Sequence, residues 1–234
     1  FALSKQINLV GKYDFVNDLW EGFGVANILP GSGYIKAGVY APNYGIRLDD
    51  HTAYTREGLI FDQFYREAGV EVGFFADDWL YASASAGSNI TDVTSNYTKD
   101  PTYTARVEIT PRFGELGLLF GGSYASAKLG NSQEALNTNM YGGFFGFGYV
   151  DFSLLAEYDI ANDLSSSDEK SNMLMVEAAY VILTGLEAIV RYDRIDYNAD
   201  VDADETSRFV LGFEFHPYSF IEIRPQYRLV MEDP

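Results

Sequence analysis

A strict alternation of residue types is the feature that most constrains how this chain can fold. From residue 208 to residue 215, every second position holds a large apolar side chain: Phe209, Leu211, Phe213 and Phe215. A period of two places successive side chains on opposite faces of a strand. The pattern stops at Pro217 and resumes at Ile221. The sequence therefore predicts a β-hairpin over residues 206–230 with one apolar face and one polar face.

Similar stretches run through the whole chain. They predict strands at about 3–12, 18–29, 33–41, 66–76, 79–87, 102–112, 115–127, 138–149, 151–160, 172–183, 185–197, 206–216 and 219–230. No sustained helical period lies between them. We therefore predict an all-β fold that forms a single domain over residues 1–234.

The connections between these strands alternate in length. From the third predicted strand onwards, short and longer connections follow each other without exception. In an antiparallel up-and-down sheet this puts every tight turn at one end, as in transmembrane β-barrels. A final strand ending near residue 230 would then leave at the long-loop end. We expect a barrel of about 14 strands whose closing strand is missing from the given sequence.

Composition excludes several other classes of protein. The chain has no cysteine, which removes disulfides, cysteine metal sites and covalent haem attachment. Its formal net charge of -18 argues against nucleic acid as a partner. No run reaches the roughly 18 apolar residues of a transmembrane helix, whereas a barrel strand needs only about 9 to 11.

Aromatic residues bear on the choice between a membrane barrel and a soluble β-sandwich. Large rings occur near the ends of the predicted strands, where two membrane-interface girdles would lie. These rings belong to Trp20, Tyr40, Phe75, Trp79, Tyr103, Phe113, Tyr149, Phe152, Phe215 and Tyr218. A sandwich core would instead concentrate rings near strand centres. The pattern favours the membrane barrel, and the sandwich stays the alternative.

Two tracts carry a resemblance to a known group of proteins. Residues 34–52 read YIKAGVYAPNYGIRLDDHT, and residues 220–228 read FIEIRPQYR. A strand with Lys-Ala-Gly followed by a Pro-x-Tyr-Gly loop resembles the porin-like outer-membrane barrels of Gram-negative bacteria. The resemblance implies location in the bacterial outer membrane and a role as a pore or scaffold, without a defined substrate.

The longest connection, residues 42–65, carries the densest set of charged residues. Its candidates for a constriction loop are Arg47, Asp49, Asp50, His51 and Arg56. Opposed Arg and Asp side chains inside a lumen would filter solutes by charge and dipole. The alternative is an ordinary solvated outer loop held together by its own ion pairs.

The polar faces of the strands predict the lumen wall. The residues expected there are Lys36, Glu71, Arg106, Glu108, Glu157, Asp159, Glu177, Glu187, Arg191, Asp193, Arg208, Glu214, Glu222, Arg224 and Arg228. Such a wall suits a hydrated pore or a narrow barrel closed by cross-strand ion pairs. The excess of acidic residues predicts a mild cation preference.

No cofactor and no catalytic residues are expected. The Asp49-Asp50-His51 run has no second histidine nearby, because His216 lies at the short-turn end, and the chain has no Gly-x-Ser-x-Gly elbow. No metal site is expected beyond a weak candidate at Asp200, Asp202 and Asp204, which lacks the glycine and closing Glu of a calcium loop.

The sequence therefore predicts a porin-like channel for passive diffusion of small hydrophilic solutes. Its expected partners are outer-membrane lipid and lipopolysaccharide, together with other outer-membrane or periplasmic subunits. The alternative is a non-conducting barrel that acts as a scaffold or sheath for a lipoprotein, a surface assembly or a multihaem electron conduit.

Overall fold

The computed structural model is an antiparallel β-sheet in which strands follow each other in chain order. It describes residues 4, 6–15, 18–46, 52–61, 64–90, 100–129, 136–164, 166–201, 204–218 and 220–232. The strands are β1 (Ile7–Asp14), β2 (Leu19–Leu29), β3 (Gly33–Tyr40), β4 (Glu67–Ala76), β5 (Leu80–Asn89), β6 (Pro101–Ile109), β7 (Arg112–Phe113), β8 (Leu116–Leu129), β9 (Leu136–Tyr149), β10 (Phe152–Asn162), β11 (Lys170–Leu183), β12 (Leu186–Asp196), β13 (Glu205–Tyr218), β14 (Ile221–Ile223) and β15 (Gln226–Glu232). The all-β, antiparallel fold class is confirmed.

Two of the strands are interrupted at prolines. The main path of the sheet has thirteen strands, while β7 pairs with β8 and β15 pairs with β13. Pro111 separates β6 from β7, and Pro225 separates β14 from β15. Proline has no backbone N–H for the ladder, which explains both breaks. Among the described residues, β1 is not paired with β15.

Short turns at one end of the sheet fix the strand register. Tyr149 pairs directly with Phe152, so only Val150 and Asp151 form that turn. Val150 takes a left-handed φ of 53° there, which is uncommon for a β-branched residue. Gly185, with φ 83°, serves the turn between β11 and β12 and accepts this conformation without a steric penalty.

Burial in this sheet is reversed relative to a water-soluble protein. The predicted outward residues of β4 and β13 are exposed, with Val70 at 48%, Val72 at 46% and Leu211 at 50% relative accessibility. On the opposite face, Glu71 is 2% exposed and Asp159 is fully buried. An exposed apolar face over so many strands is suited to lipid rather than to water.

Rings on the outward face form a row across neighbouring strands. Tyr103, Tyr124, Tyr141 and Tyr158 lie on successive strands of the sheet's main path, and all are exposed. Tyr40 and Phe75 differ from the expectation for the girdles, because Tyr40 is 1% exposed and Phe75 packs against Tyr81 at 4.7 Å between ring centroids. Both rings lie on the polar face. Their position near a strand end therefore wrongly predicted that they belong to the membrane-interface girdles.

One helical turn, α1 (Tyr54–Glu57), interrupts the connection between β3 and β4. The described part of the chain contains no helix that is long and apolar enough to cross a membrane.

Candidate functional site: the inner face and the inner loop

The polar sides of the strands form one continuous face of the sheet. Cross-strand pairs link Lys36 to Glu71, and further along they link Glu177 to Arg191 and Asp193 to Arg208. Because directly opposed residues lie on the same face, these charged residues share one surface. We call it the inner face.

The connection between β3 and β4 is residues 41–66, which we call the inner loop. Its described parts, residues 41–46, 52–61 and 64–66, contact this face. The inner loop contacts strands that lie far apart in the order of the sheet, from β5 to β13. The Asn43 side-chain amide donates to Tyr81 Oη on β5 at 2.7 Å. At the far side, Arg208 on β13 donates to the carbonyl oxygen of Thr52 and places its guanidinium 4.3 Å from the Tyr54 ring centroid. The sheet therefore curves around the loop.

The central part of the loop is anchored on β10. The backbone N–H of Ile46 donates to Glu157 Oε1 at 2.9 Å. The Tyr44 hydroxyl donates to Asp159 Oδ1 at 3.0 Å. Burial, followed by the negative charge of Asp159, raises the pKa of Tyr44. Tyr44 therefore stays protonated and keeps donating this hydrogen bond at physiological pH.

Gly45 allows the close approach between loop and strand. Its φ of +58° lies in the left-handed region, and a Cβ there would lie 1.9 Å from Glu157 Oε1. The N–H of Gly45 donates to Ser123 Oγ at 2.9 Å, and its carbonyl oxygen accepts from Arg106 Nε at 3.1 Å. A side chain at this position would push the loop away from the wall.

Apolar contacts complete the docking of the loop. Its buried residues pack with inner-face residues of the long-loop half of the sheet. The cluster consists of Tyr44, Tyr54, Leu59, Ile60, Phe61 and Tyr65 with Ala125, Ala127, Leu129, Met140, Ala161, Met173 and Ile195. This half of the inner face thus contains a hydrophobic core. The sequence predicted a polar lumen wall and did not predict this core.

Charged pairs also lie on the inner face, and one of them is in contact with the inner loop. Lys36 Nζ lies 2.8 Å from Glu71 Oε2 and 3.9 Å from the Tyr40 ring centroid. Asp193 Oδ2 lies 3.0 Å from Arg191 Nε and 2.7 Å from Arg208 Nη2. Because buried charges are costly unless paired, these pairs explain how the face stays folded.

Apart from Glu187, the remaining predicted lumen residues also have partners among the described residues. Arg106 pairs with Glu108, and Arg191 Nη1 lies 3.5 Å from Glu177 Oε2. Arg224 Nε lies 2.8 Å from Glu214 Oε1, and its Nη2 lies 2.5 Å from Glu222 Oε1. Arg228 donates to the Gln226 side chain at 2.9 Å.

The charged loop candidates divide into two groups. Arg47, Asp49, Asp50 and His51 lie outside the described residues. Arg56 is described, and its Nη1 donates to the Tyr44 carbonyl oxygen at 3.4 Å. It also interacts electrostatically with Glu157 and Asp159.

The acidic loop predicted as a weak metal site is only partly described. Asp200 is exposed, Asp204 is half-buried, and Asp202 lies outside the described residues.

Sequence reasoning selected charged loop residues and missed the aromatic ones. Tyr44, Gly45, Tyr54 and Phe61 make or permit the contacts that fix the loop. The signal was present in the composition of the loop, since a solvated loop rarely carries so many large apolar side chains.

Solved structures provide the comparison with known proteins. No sequence-family model and no curated protein sequence matches the chain. OprB of Pseudomonas putida has a TM-score of 0.69 at 10% identity, covering 91% of this chain and 68% of that chain. OpdK of Pseudomonas aeruginosa, determined with vanillate, has a TM-score of 0.60 at 14% identity, covering 94% and 67%.

A third solved structure is similar to the chain to a comparable degree. A BenF-like porin from Pseudomonas fluorescens has a TM-score of 0.60 at 11% identity, covering 98% of this chain and 69% of that chain. At such identities the likeness establishes the fold. By its fold, the chain is an all-β, antiparallel barrel-type sheet similar to these three structures, one of which is named a porin.

Proposed function

We propose that this chain forms a channel for small hydrophilic solutes across the outer membrane, narrowed by the inner loop. The observation that carries the proposal is the loop's path across the inner face, from Tyr81 on β5 to Arg208 on β13. A segment held across the interior of a barrel reduces its cross-section. The neighbours of this fold are named as porins and channels, which supports the same function.

Charge placement supports a filter at this constriction. Arg56 and Arg106 lie on the loop and on β6, while Glu157 and Asp159 lie on β10. These groups of opposite sign lie close together beside the docked loop, and charges of both signs bordering an opening create a local field that orients dipolar solutes. We include Arg47, Asp49, Asp50 and His51 in the proposed filter because they belong to the same loop.

The net charge of -18 supports a mild preference for cations. Reversal potentials of the channel in a planar bilayer under a KCl gradient test this preference. We expect cation selectivity in the wild type and a change of selectivity in the Arg47→Ala/Asp49→Ala variant. Lys128→Gln, at an exposed position outside the loop, is the control and should change nothing.

Anion selectivity in the wild type would contradict the preference. Unchanged conductance and selectivity in the double variant would contradict the filter. Vanillate, present in the structure of the neighbour OpdK, serves with an uncharged sugar as a probe solute in liposome-swelling assays. Failure of both solutes to enter would contradict passive diffusion.

A second candidate function is a non-conducting barrel that supports a partner protein. It is favoured by the apolar cluster between the loop and the wall, because apolar side chains that fill the interior leave less room for a path through which solutes could pass. Absence of conductance together with a stoichiometric subunit that co-purifies would establish it. Conductance of the isolated barrel would exclude it.

A further inference from the structure

Three metal-ligating side chains converge at the short-turn end of the inner face. Glu214 and His216 lie two residues apart on β13, so both point to the same side of the sheet. Glu222 lies on the adjacent β14. One ligand atom from each residue lies within 4.8 Å of the other two. Glu214 is half-buried, while His216 and Glu222 are exposed, so an ion could reach them from water.

A fourth carboxylate makes the local charge unbalanced. Glu187 on β12 lies directly opposite Glu214, and like charges in this arrangement destabilise a sheet. Arg224 pairs with Glu214 and Glu222. Among the described residues, no side-chain hydrogen bond or ion pair engages Glu187. Three carboxylates and one guanidinium leave two negative charges, which a divalent cation would neutralise.

We propose that Glu214, His216 and Glu222 bind a divalent transition-metal ion of the Zn²⁺ class at the short-turn mouth of the barrel. A donor set of one imidazole nitrogen and two carboxylate oxygens suits Zn²⁺. Ligands about 2.0 to 2.2 Å from the ion must lie closer together than 4.8 Å, and rotation of the exposed Glu222 and His216 side chains supplies this movement.

Arg224 gives the proposal a distinctive consequence. Its guanidinium bridges Glu214 and Glu222 and therefore competes with the ion for the same oxygens. Removing that positive charge should tighten metal binding, whereas removing a ligand should weaken it. A purely structural ion-pair cluster would not give this pair of opposite effects. The site is independent of whether the barrel conducts solutes.

The test is calorimetric titration of the refolded full chain in detergent with Zn²⁺ at about pH 8, where an imidazole is free to bind a metal. We expect saturable binding of one ion by the wild type. His216→Ala should weaken binding at least about tenfold, and Glu222→Gln should also weaken it. Arg224→Gln should strengthen binding several-fold.

His51→Ala is the matched control, because His51 and His216 are the two histidines of the chain. Far-UV circular dichroism checks that each variant is folded, and Glu222→Gln replaces His216→Ala if the latter does not fold. The proposal is wrong if the wild type does not bind Zn²⁺. It is also wrong if His51→Ala and His216→Ala lose binding equally, or if Arg224→Gln weakens it.

Discussion

The two halves of the inner face belong to the same strands and yet differ in what covers them. In the long-loop half, Met140 and Met173 are fully buried beneath the inner loop. In the short-turn half, Gly117, Gly148 and Glu187 line an open cavity. The same surface is therefore a packed core at one end and an open wall at the other.

This difference shows that the inner loop determines the burial of the apolar inner residues beneath it, beyond what the sheet alone would bury. Strand alternation assigns a side chain to a face, but burial requires something on that face to pack against. The loop supplies it through rings and backbone groups around Tyr44 and Gly45. Substitutions in the covered half should therefore cost far more than substitutions elsewhere.

The largest effect is expected at Met173. Met173→Ala should lower the free energy of unfolding by about 2 to 4 kcal/mol, because it opens a cavity between the inner loop and β11. Urea or thermal unfolding in detergent measures the change. Val190→Ala on the exposed outward face is the control, since Val190 is 49% exposed and its loss leaves no cavity. Equal destabilisation by both variants would remove the distinction between covered and uncovered positions.

A somewhat smaller effect on stability is expected at Gly45. Gly45→Ala should cost about 1 to 2 kcal/mol from the left-handed backbone alone, with an added clash against Glu157. If the loop narrows the lumen, its displacement should also raise single-channel conductance. Gly143→Ala is the matched control, because a Cβ there meets nothing within 4 Å. A Gly45→Ala channel with wild-type stability would show that the loop is not held at this point.

The smallest effect is expected at a short turn, away from the loop. Val150→Gly should stabilise the protein by up to about 1 kcal/mol, because glycine takes the left-handed φ of 53° without the strain of a β-branched residue. Thermal unfolding measures the gain, and conductance should not change. Val72→Gly, in a regular strand, should destabilise instead. A destabilising Val150→Gly would mean that backbone entropy outweighs the strain of the turn.

The sequence was informative about the sheet because strands leave a local signature. Alternation located the strands to within a few residues, and it placed Val70 and Leu211 on the exposed side. Ring positions were less reliable, since Tyr40 and Phe75 sit near strand ends but on the inner face. Position along a strand and choice of face are separate properties, and only the second depends on an odd or even offset.

The loop contacts could not be predicted because they join residues far apart in the chain. Tyr44 meets Asp159, and Thr52 meets Arg208. No periodicity relates such pairs. The need for a residue without a Cβ at position 45 becomes visible only once Glu157 lies beside it. The cluster of Glu214, His216 and Glu222 likewise depends on how β14 is placed against β13.

The sequence by itself determined the all-β class, the order of the strands and the two-sided character of the sheet, because each follows from period two and from turn residues. The tertiary structure decided which part of the inner face is a core, since that depends on where the described parts of the inner loop dock. It also decided which charges meet, because cross-strand and loop-to-wall neighbours are set by register and curvature rather than by local sequence.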